Sequence, residues 1–137
     1  MKDAERSLVE EFDRRYRLGR TPAMRRIEQA VLGSDYGATS YTTVHQAEEL
    51  ARQLQLEPAV SLLDLGAGSG WPGLHLAAAT GCRVVLTDRP EGGLRVAQQR
   101  ARADRLAGRC TFVQSSGDLL PFRSRVFDAI THTDVLC

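Results

Sequence analysis

The sequence predicts an α/β fold built on a parallel sheet, and three observations carry that expectation. From about residue 58 onward, short apolar runs alternate with helical stretches. A glycine-rich turn, Gly66-Ala67-Gly68-Ser69-Gly70, stands where the first of these runs gives way to a helix. The stretches between runs are long enough to serve as crossovers, which implies parallel pairing with right-handed connections.

The elements follow in order. A first helix is expected over Asp3 to Leu18, with Leu8, Phe12 and Tyr16 at four-residue steps making one side apolar and Gly19 suiting its end. Thr21-Pro22 reads as an N-cap followed by a proline whose missing N–H costs nothing there. That second helix runs to Leu32 and stops at Gly33, and residues 33–41 are rich in turn formers. Thr43 and Gln46 suit a capping box for a third helix from Val44 to about Leu56, with Ala47, Leu50, Ala51 and Leu54 as its buried stripe.

Pro58 breaks that helix, and Ala59 to Leu65 reads as a strand covered on both faces. After the glycine turn come a helix over Trp71 to Thr80, a strand over Arg83 to Thr87 and a helix over Glu91 to Ala107. A strand over Cys110 to Gln114, a polar loop from Ser115 to Ser124 and a strand over Val126 to Thr131 complete the series. The chain thus divides into a helical lead-in, residues 1–57, and a core, residues 58–137.

The 137 residues suit one domain, and shares of 42% hydrophobic and 26% charged residues are those of a globular protein. A net charge of +1 gives no electrostatic reason to expect nucleic acid or a membrane as partner. Arg14, Arg15, Arg17, Arg20, Arg25 and Arg26 are interleaved with Glu5, Glu10, Glu11, Asp13 and Glu28, the pattern of a solvated helix face. No apolar run approaches the ~18–20 residues of a membrane span, and the start of the chain is acidic where a signal peptide would be basic and then apolar. Cys82, Cys110 and Cys137 have no metal-type spacing, so no metal site is expected; Cys82 and Cys110 read as small apolar residues in a reducing cytoplasm.

Chemistry concentrates at strand ends. In Leu62-Leu63-Asp64-Leu65-Gly66-Ala67-Gly68-Ser69-Gly70, glycines admit a ligand close to the backbone, and the following helix start offers free N–H groups and positive potential. Asp64 lies at the carboxyl end of its strand, where open α/β sheets bind ligands. Asp88 ends the next strand, where a carboxylate can accept from both ribose hydroxyls of an adenosine or simply cap the helix after it. These two features also match a dinucleotide fingerprint, Gly68-x-Gly70-x-x-Gly73 with an acid about 20 residues on. A third feature separates the readings: Ser116-Gly117-Asp118-Leu119-Leu120-Pro121-Phe122 comes after the third strand, and Phe127-Asp128-Ala129-Ile130 opens the fourth.

Taken in order, Asp64 to Gly70, Asp88, Gly117 to Phe122 and Phe127 to Ile130 resemble the successive motifs of class I, Rossmann-like S-adenosylmethionine-dependent methyltransferases. The resemblance spans residues 58–137 and implies S-adenosyl-L-methionine as cofactor. It places Gly66 and Gly68 beside the methionine portion, Asp88 on the ribose, Asp118 on the adenine amino group and the Leu119 N–H on the adenine ring. Asp64, Ala67 and Arg89 complete the expected cofactor contacts, and Thr131, His132 and Thr133 would lie beside the sulfonium and the substrate.

His132 is the candidate base, with Asp134 of the same standing; the alternative is a residue placed by packing. Methyl transfer is an in-line displacement at an activated carbon, so positioning supplies much of the rate, and a base is needed only for a protonated nucleophile. Tyr36 and Tyr41 either cover the cofactor or pack.

The family core has seven strands ordered 3-2-1-4-5-7-6, of which four are legible, so the resemblance implies a sheet ordered 3-2-1-4 in a C-terminally truncated chain. The chain ends on Val135-Leu136-Cys137, and an open edge at the fourth strand would invite self-association. The expected substrate is a small molecule, which the motifs do not specify further. Two other readings stand beside this one. An NAD(P)-dependent oxidoreductase explains the glycines and Asp88 but gives Asp118 no role, and a non-catalytic cofactor-binding module needs no acceptor at all.

Overall fold

The computed structural model describes residues 3–135. Leu136 and Cys137, with the expected apolar end and third cysteine, lie outside the described residues. The elements are α1 (Asp3–Gly19), α2 (Pro22–Leu32), α3 (Val44–Gln53), β1 (Ser61–Leu65), α4 (Gly73–Thr80), β2 (Arg83–Asp88), α5 (Glu91–Ala103), β3 (Cys110–Gln114) and β4 (Ala129–Thr131). The strands form one sheet in the order β3-β2-β1-β4, parallel at every pairing. This is the Rossmann-like α/β arrangement that the resemblance implied.

Local signals set several boundaries. Thr21 caps α2 through the Met24 N–H, Pro22 opens it, and Gly33 closes it at φ 78°. The Thr43–Gln46 capping box is complete, with Gln46 N–H to Thr43 Oγ1 at 3.2 Å and Thr43 N–H to Gln46 Oε1 at 2.9 Å. Leu62, Leu63 and Asp64 of β1 are buried, as a strand covered on both faces requires. They join Leu74, Leu76, Val84, Leu86, Ala97 and Ala101 in the core, where Cys82 and Cys110 are buried free thiols.

Other boundaries differ from expectation. Helix α3 ends at Gln53 rather than near Leu56, because Gln55 turns to φ 51° and the Leu56 N–H bonds back to Ala51 O at 3.0 Å. Helix α5 ends at Ala103 rather than Ala107 by the same device: Arg105 takes φ 60° and the Leu106 N–H reaches Ala101 O at 2.7 Å. Strand β1 starts at Ser61, two residues late, since Val60 is still in a turn with Glu57. Strand β4 covers three residues, not the six from Val126, because Arg125 sits at φ 62° and pairing begins only at Ala129. Among the described residues it pairs with β1 alone, and Val126 and Ile130 are exposed.

The segment between α2 and α3 is organised by one buried acid. Glu28 accepts from the Ser34 hydroxyl at 2.9 Å, the Tyr36 N–H at 2.8 Å and the Gly37 N–H at 2.7 Å. Tyr36 then packs between Trp71, at 5.2 Å between ring centroids, and the Arg100 guanidinium, 4.3 Å from its ring. No described helix is long and apolar enough to cross a membrane. Among the described residues no cluster of His, Cys, Asp and Glu could hold a metal ion.

Candidate functional site

A cavity of about 250 Å³ opens at the carboxyl ends of β1 and β2. Its floor is the turn from Gly66 to Ser69, with Asp88, Arg89 and Pro90 beside it. Residues Ala38, Thr39 and Ser40, with Thr133, Asp134 and Val135, form further walls. Helix α1 closes the remaining side with Glu5, Leu8, Val9, Phe12 and Tyr16. The apolar side of α1 therefore faces a cleft rather than a sheet, which is why Leu8 is exposed while Tyr16 is buried.

The turn is held against β2 by hydrogen bonds from the Gly66 and Ala67 N–H groups to Thr87 O, at 2.8 and 2.9 Å. Gly68 lies at φ 52°, and a Cβ there would stand 2.6 Å from the Tyr16 hydroxyl. A side chain at this position is thus excluded by conformation and by contact. The Ser69 hydroxyl is buried on this wall without a hydrogen-bond partner. An orphaned donor next to a helix start fits a ligand bearing an oxygen acceptor.

Asp88 is the acid of the cleft. One of its oxygens accepts the Gly68 N–H at 2.7 Å and the other accepts the Arg89 N–H at 2.8 Å. Burial raises its pKa despite those two bonds, and the charge of Asp13 adds to the rise. The buried Tyr16 lines the same cavity, and burial together with the charge of Asp88 raises its pKa as well.

The other expected contact residues are spread over three places. Gly66, Ala67, Gly68, Asp88 and Arg89 line the cavity. Asp64 and Thr131 stand behind its wall: the fully buried Asp64 carboxylate accepts the Thr131 hydroxyl at 3.1 Å and the Gly73 N–H at 3.0 Å. Burial pushes the Asp64 carboxyl up to about 7. Asp118 and Leu119 lie on an exposed loop outside the cavity lining, where the Ser116 hydroxyl donates to Asp118 and lowers its pKa.

His132 is exposed and outside the lining, whereas Thr133 and Asp134 face the cleft. Asp134 accepts from the Ser40 and Thr42 hydroxyls and from the Tyr41 N–H, joining the end of β4 to the segment before α3. Tyr36 packs in the interior against Trp71, and Tyr41 is exposed outside this cavity. Sequence reasoning missed the α1 wall, Thr39, Ser69 and Trp71. The tandem Gly92-Gly93 in the first turn of α5 was the available signal, because glycines inside a helix mark a close approach.

A family model described as "Methyltransferase domain" matches residues 62–137, more than half of the chain. The ubiquinone/menaquinone biosynthesis C-methyltransferase of Rhizobium etli is 34% identical over 77 residues, covering 55% of this chain and 30% of that protein. The chain thus spans about a third of that relative's length. A crystal structure of an S-adenosylmethionine-dependent methyltransferase from Thiobacillus denitrificans, in complex with S-adenosyl-L-homocysteine, is 30% identical with a TM-score of 0.50. That match covers 53% of this chain and 29% of the other. A methyltransferase structure from Methanococcus maripaludis covers 82% of this chain and 48% of its own at a TM-score of 0.67; at 18% identity it speaks for the fold alone. With the matched domain spanning β1 to the end, the sheet order and the glycine turn in place, the chain belongs to the class I S-adenosylmethionine-dependent methyltransferases.

Proposed function

We propose that this chain is the cofactor-binding part of an S-adenosyl-L-methionine-dependent methyltransferase acting on a small molecule. The observation that carries the reading is Asp88, a half-buried carboxylate at the end of β2 that faces the cleft beside the Gly68 turn. When bound, the cofactor supplies a methyl carbon made electrophilic by a positive sulfur.

The chain's own residues bind and orient it. Gly66, Ala67 and Gly68 take the methionine portion, with the Ser69 hydroxyl as a donor. Asp88 and Arg89 take the ribose. Asp118 and Leu119 serve the adenine from the loop after β3. Asp64 and Thr131 act from behind the wall, fixing the end of β1 to β4 and to the start of α4.

The acceptor side lies past β4, at Thr133 to Val135. Positioning there, with water excluded by α1, supplies the rate that the protein contributes. His132 is assigned no proton transfer in this arrangement, since its side chain lies outside the cleft lining. The described residues 3–57 form a helical cap on the core that residues 58–135 build. The C-methylation named for the Rhizobium relative points to an acceptor of the size of a quinone ring rather than a macromolecule. The exposed β4 edge, with Ile130, is the proposed route of self-association.

Calorimetric titration with S-adenosyl-L-homocysteine and, separately, NADH tests the reading. Binding of the first and none of the second is the expected result. Binding of NADH alone would return the fold to the oxidoreductases.

A further inference from the structure

Helix α2 is almost without partners in the fold. Of its 11 residues only Glu28 and Leu32 are buried, and every other one is exposed. At ~100° per residue, Ala23, Met24, Ile27, Ala30 and Val31 fall together on an arc of about 120°. An apolar stripe of that width ordinarily faces a core. Here it faces outward: Met24 is 46% exposed, Ile27 56% and Val31 68%. Leu18, at the end of α1 just ahead of α2, is also exposed. None of these residues lines the cleft.

The charge around the stripe has one sign. Residues 14–33 carry Arg14, Arg15, Arg17, Arg20, Arg25 and Arg26, all exposed, and a single acid, Glu28, which is buried. Among the described residues Arg15 pairs with Glu11 and Arg25 with Asp35, whereas Arg14, Arg17, Arg20 and Arg26 enter no salt bridge. The net charge of +1 for the whole chain hides this local excess.

Charge and area decide what covers the stripe. A second copy docked face to face would set arginines against arginines. A helix of 11 residues is about 16 Å long, so the stripe offers on the order of 200 Å², well short of the ~800 Å² per partner of a stable interface. Nucleic acid would use the arginines and leave the aliphatic stripe in water. Asp35 bridges Arg25 of α2 to Arg100 of α5, and α5 packs on β2 and β3, so a strand added at β4 would join the opposite end of the sheet. An anionic lipid surface uses both features. Aliphatic side chains enter the boundary between headgroups and acyl chains, and arginines meet the phosphates.

We propose that α2, with the end of α1, is a docking surface for an anionic lipid bilayer. The helix lies along the surface with Met24, Ile27 and Val31 inserted and the arginines among the headgroups. Lipid docking and cofactor binding are separate properties of the chain, since the two surfaces share no residue named here.

Co-sedimentation of the whole chain with two kinds of vesicle tests this: phosphatidylcholine alone, and phosphatidylcholine mixed with phosphatidylglycerol in equal parts. Wild type should sediment with the mixed vesicles, stay in solution with phosphatidylcholine, and be released by raised salt. Arg17→Gln with Arg26→Gln should weaken binding by about fivefold for each arginine. Ile27→Gln with Val31→Gln should weaken it by about tenfold or more. All four positions are exposed, and melting curves show that each variant is folded. Wild type that ignores the mixed vesicles, or binds both kinds alike, overturns the proposal. A glutamine pair at 27 and 31 that binds like wild type, while the arginine variant does not, makes the surface a site for polyanions and overturns it too. Analytical ultracentrifugation without lipid adds the remaining outcome: a wild-type dimer that Ile27→Gln with Val31→Gln turns into a monomer would put a second copy on this face instead.

Discussion

The Asp64 carboxylate accepts the Thr131 hydroxyl at 3.1 Å inside the sheet, so the ends of β1 and β4 are tied together behind the cleft wall. Its other oxygen holds the Gly73 N–H at the start of α4. With full burial as the main cause, this carboxyl titrates near 7. The sign of the consequence is fixed by linkage. Between about pH 4 and 7 the folded chain keeps a proton on Asp64 that the unfolded chain has released. Rising pH through that window therefore removes stability, on the order of a few kcal/mol at most. Asp64→Asn can still accept from Gly73 and donate to Thr131 and carries no such penalty. Thermal melts at pH 5 and pH 8 should show wild type losing ground to Asp64→Asn at the higher pH. A constant difference between the two would mean that Asp64 is ionised throughout.

Asp88 differs from Asp64 in facing the cavity, so its removal should be read in binding. Hydrogen bonds to a charged group are worth ~1.5–3 kcal/mol. Asp88→Ala should thus weaken S-adenosyl-L-homocysteine by roughly tenfold to a hundredfold in calorimetry. The raised pKa adds a pH effect: wild-type affinity should fall on acidification as the carboxylate that accepts the ribose is protonated. Asp88→Ala should lack that acid limb. Full affinity in a folded Asp88→Ala would remove the ribose assignment.

The contrast between these two acids shows what the sequence could tell. Both stand at the carboxyl end of a strand, and position alone makes both look like ligands. The face a side chain takes depends on the pleat and on the element packed against it, and Asp64 turns to the α4 start while Asp88 turns to the cleft. Short-range signals were legible: the Thr21-Pro22 start, the Thr43–Gln46 box and the glycine turn each act within a few residues. The ends of α3 and α5 were not, because Gln55 and Arg105 take the left-handed conformation that glycine usually marks. The apolar face of α1 was legible as a face, but the contact from Asp13 to Gly92 spans 79 positions, and periodicity does not say what a face meets.

Glu28 offers a test of the segment that carries Thr39 and Ser40 to the cleft. Its two oxygens receive three donors from residues 34–37, and Gly37 lies so close to Gly19 that a Cβ on Gly19 would be 2.7 Å from Gly37 O. Glu28→Gln puts an NH₂ group against one of those donors, which leaves a buried N–H unpaired at a cost of ~1–3 kcal/mol. Urea denaturation should show that loss. S-adenosyl-L-homocysteine affinity should fall with it, since the lining residues come directly after this segment. A loss of stability with affinity untouched would separate this segment from the cleft.

Glycine substitutions on α5 test the seat of α1 without touching a binding side chain. Replacing a helix-interior glycine by alanine ordinarily stabilises by ~0.5–1 kcal/mol. Gly93 should reverse that sign. A Cβ there would stand 2.9 Å from the Gly68 carbonyl carbon and oxygen as well as from the Tyr16 ring, and two of those three atoms are backbone that cannot swing aside. Gly93→Ala should therefore destabilise by about 1–3 kcal/mol, the scale of overpacking, as α1 or the glycine turn is pushed off. Gly92→Ala should act in the same direction more weakly, because its contact is the end of the Asp13 side chain. Gly108 is the control: nothing lies within 4 Å of its added Cβ, so Gly108→Ala should be neutral or slightly stabilising. The measurement is urea denaturation of the three variants beside wild type. A Gly93→Ala that behaves like Gly108→Ala would mean that α1 does not rest on α5 in solution, and the α1 wall of the cleft would have to be given up.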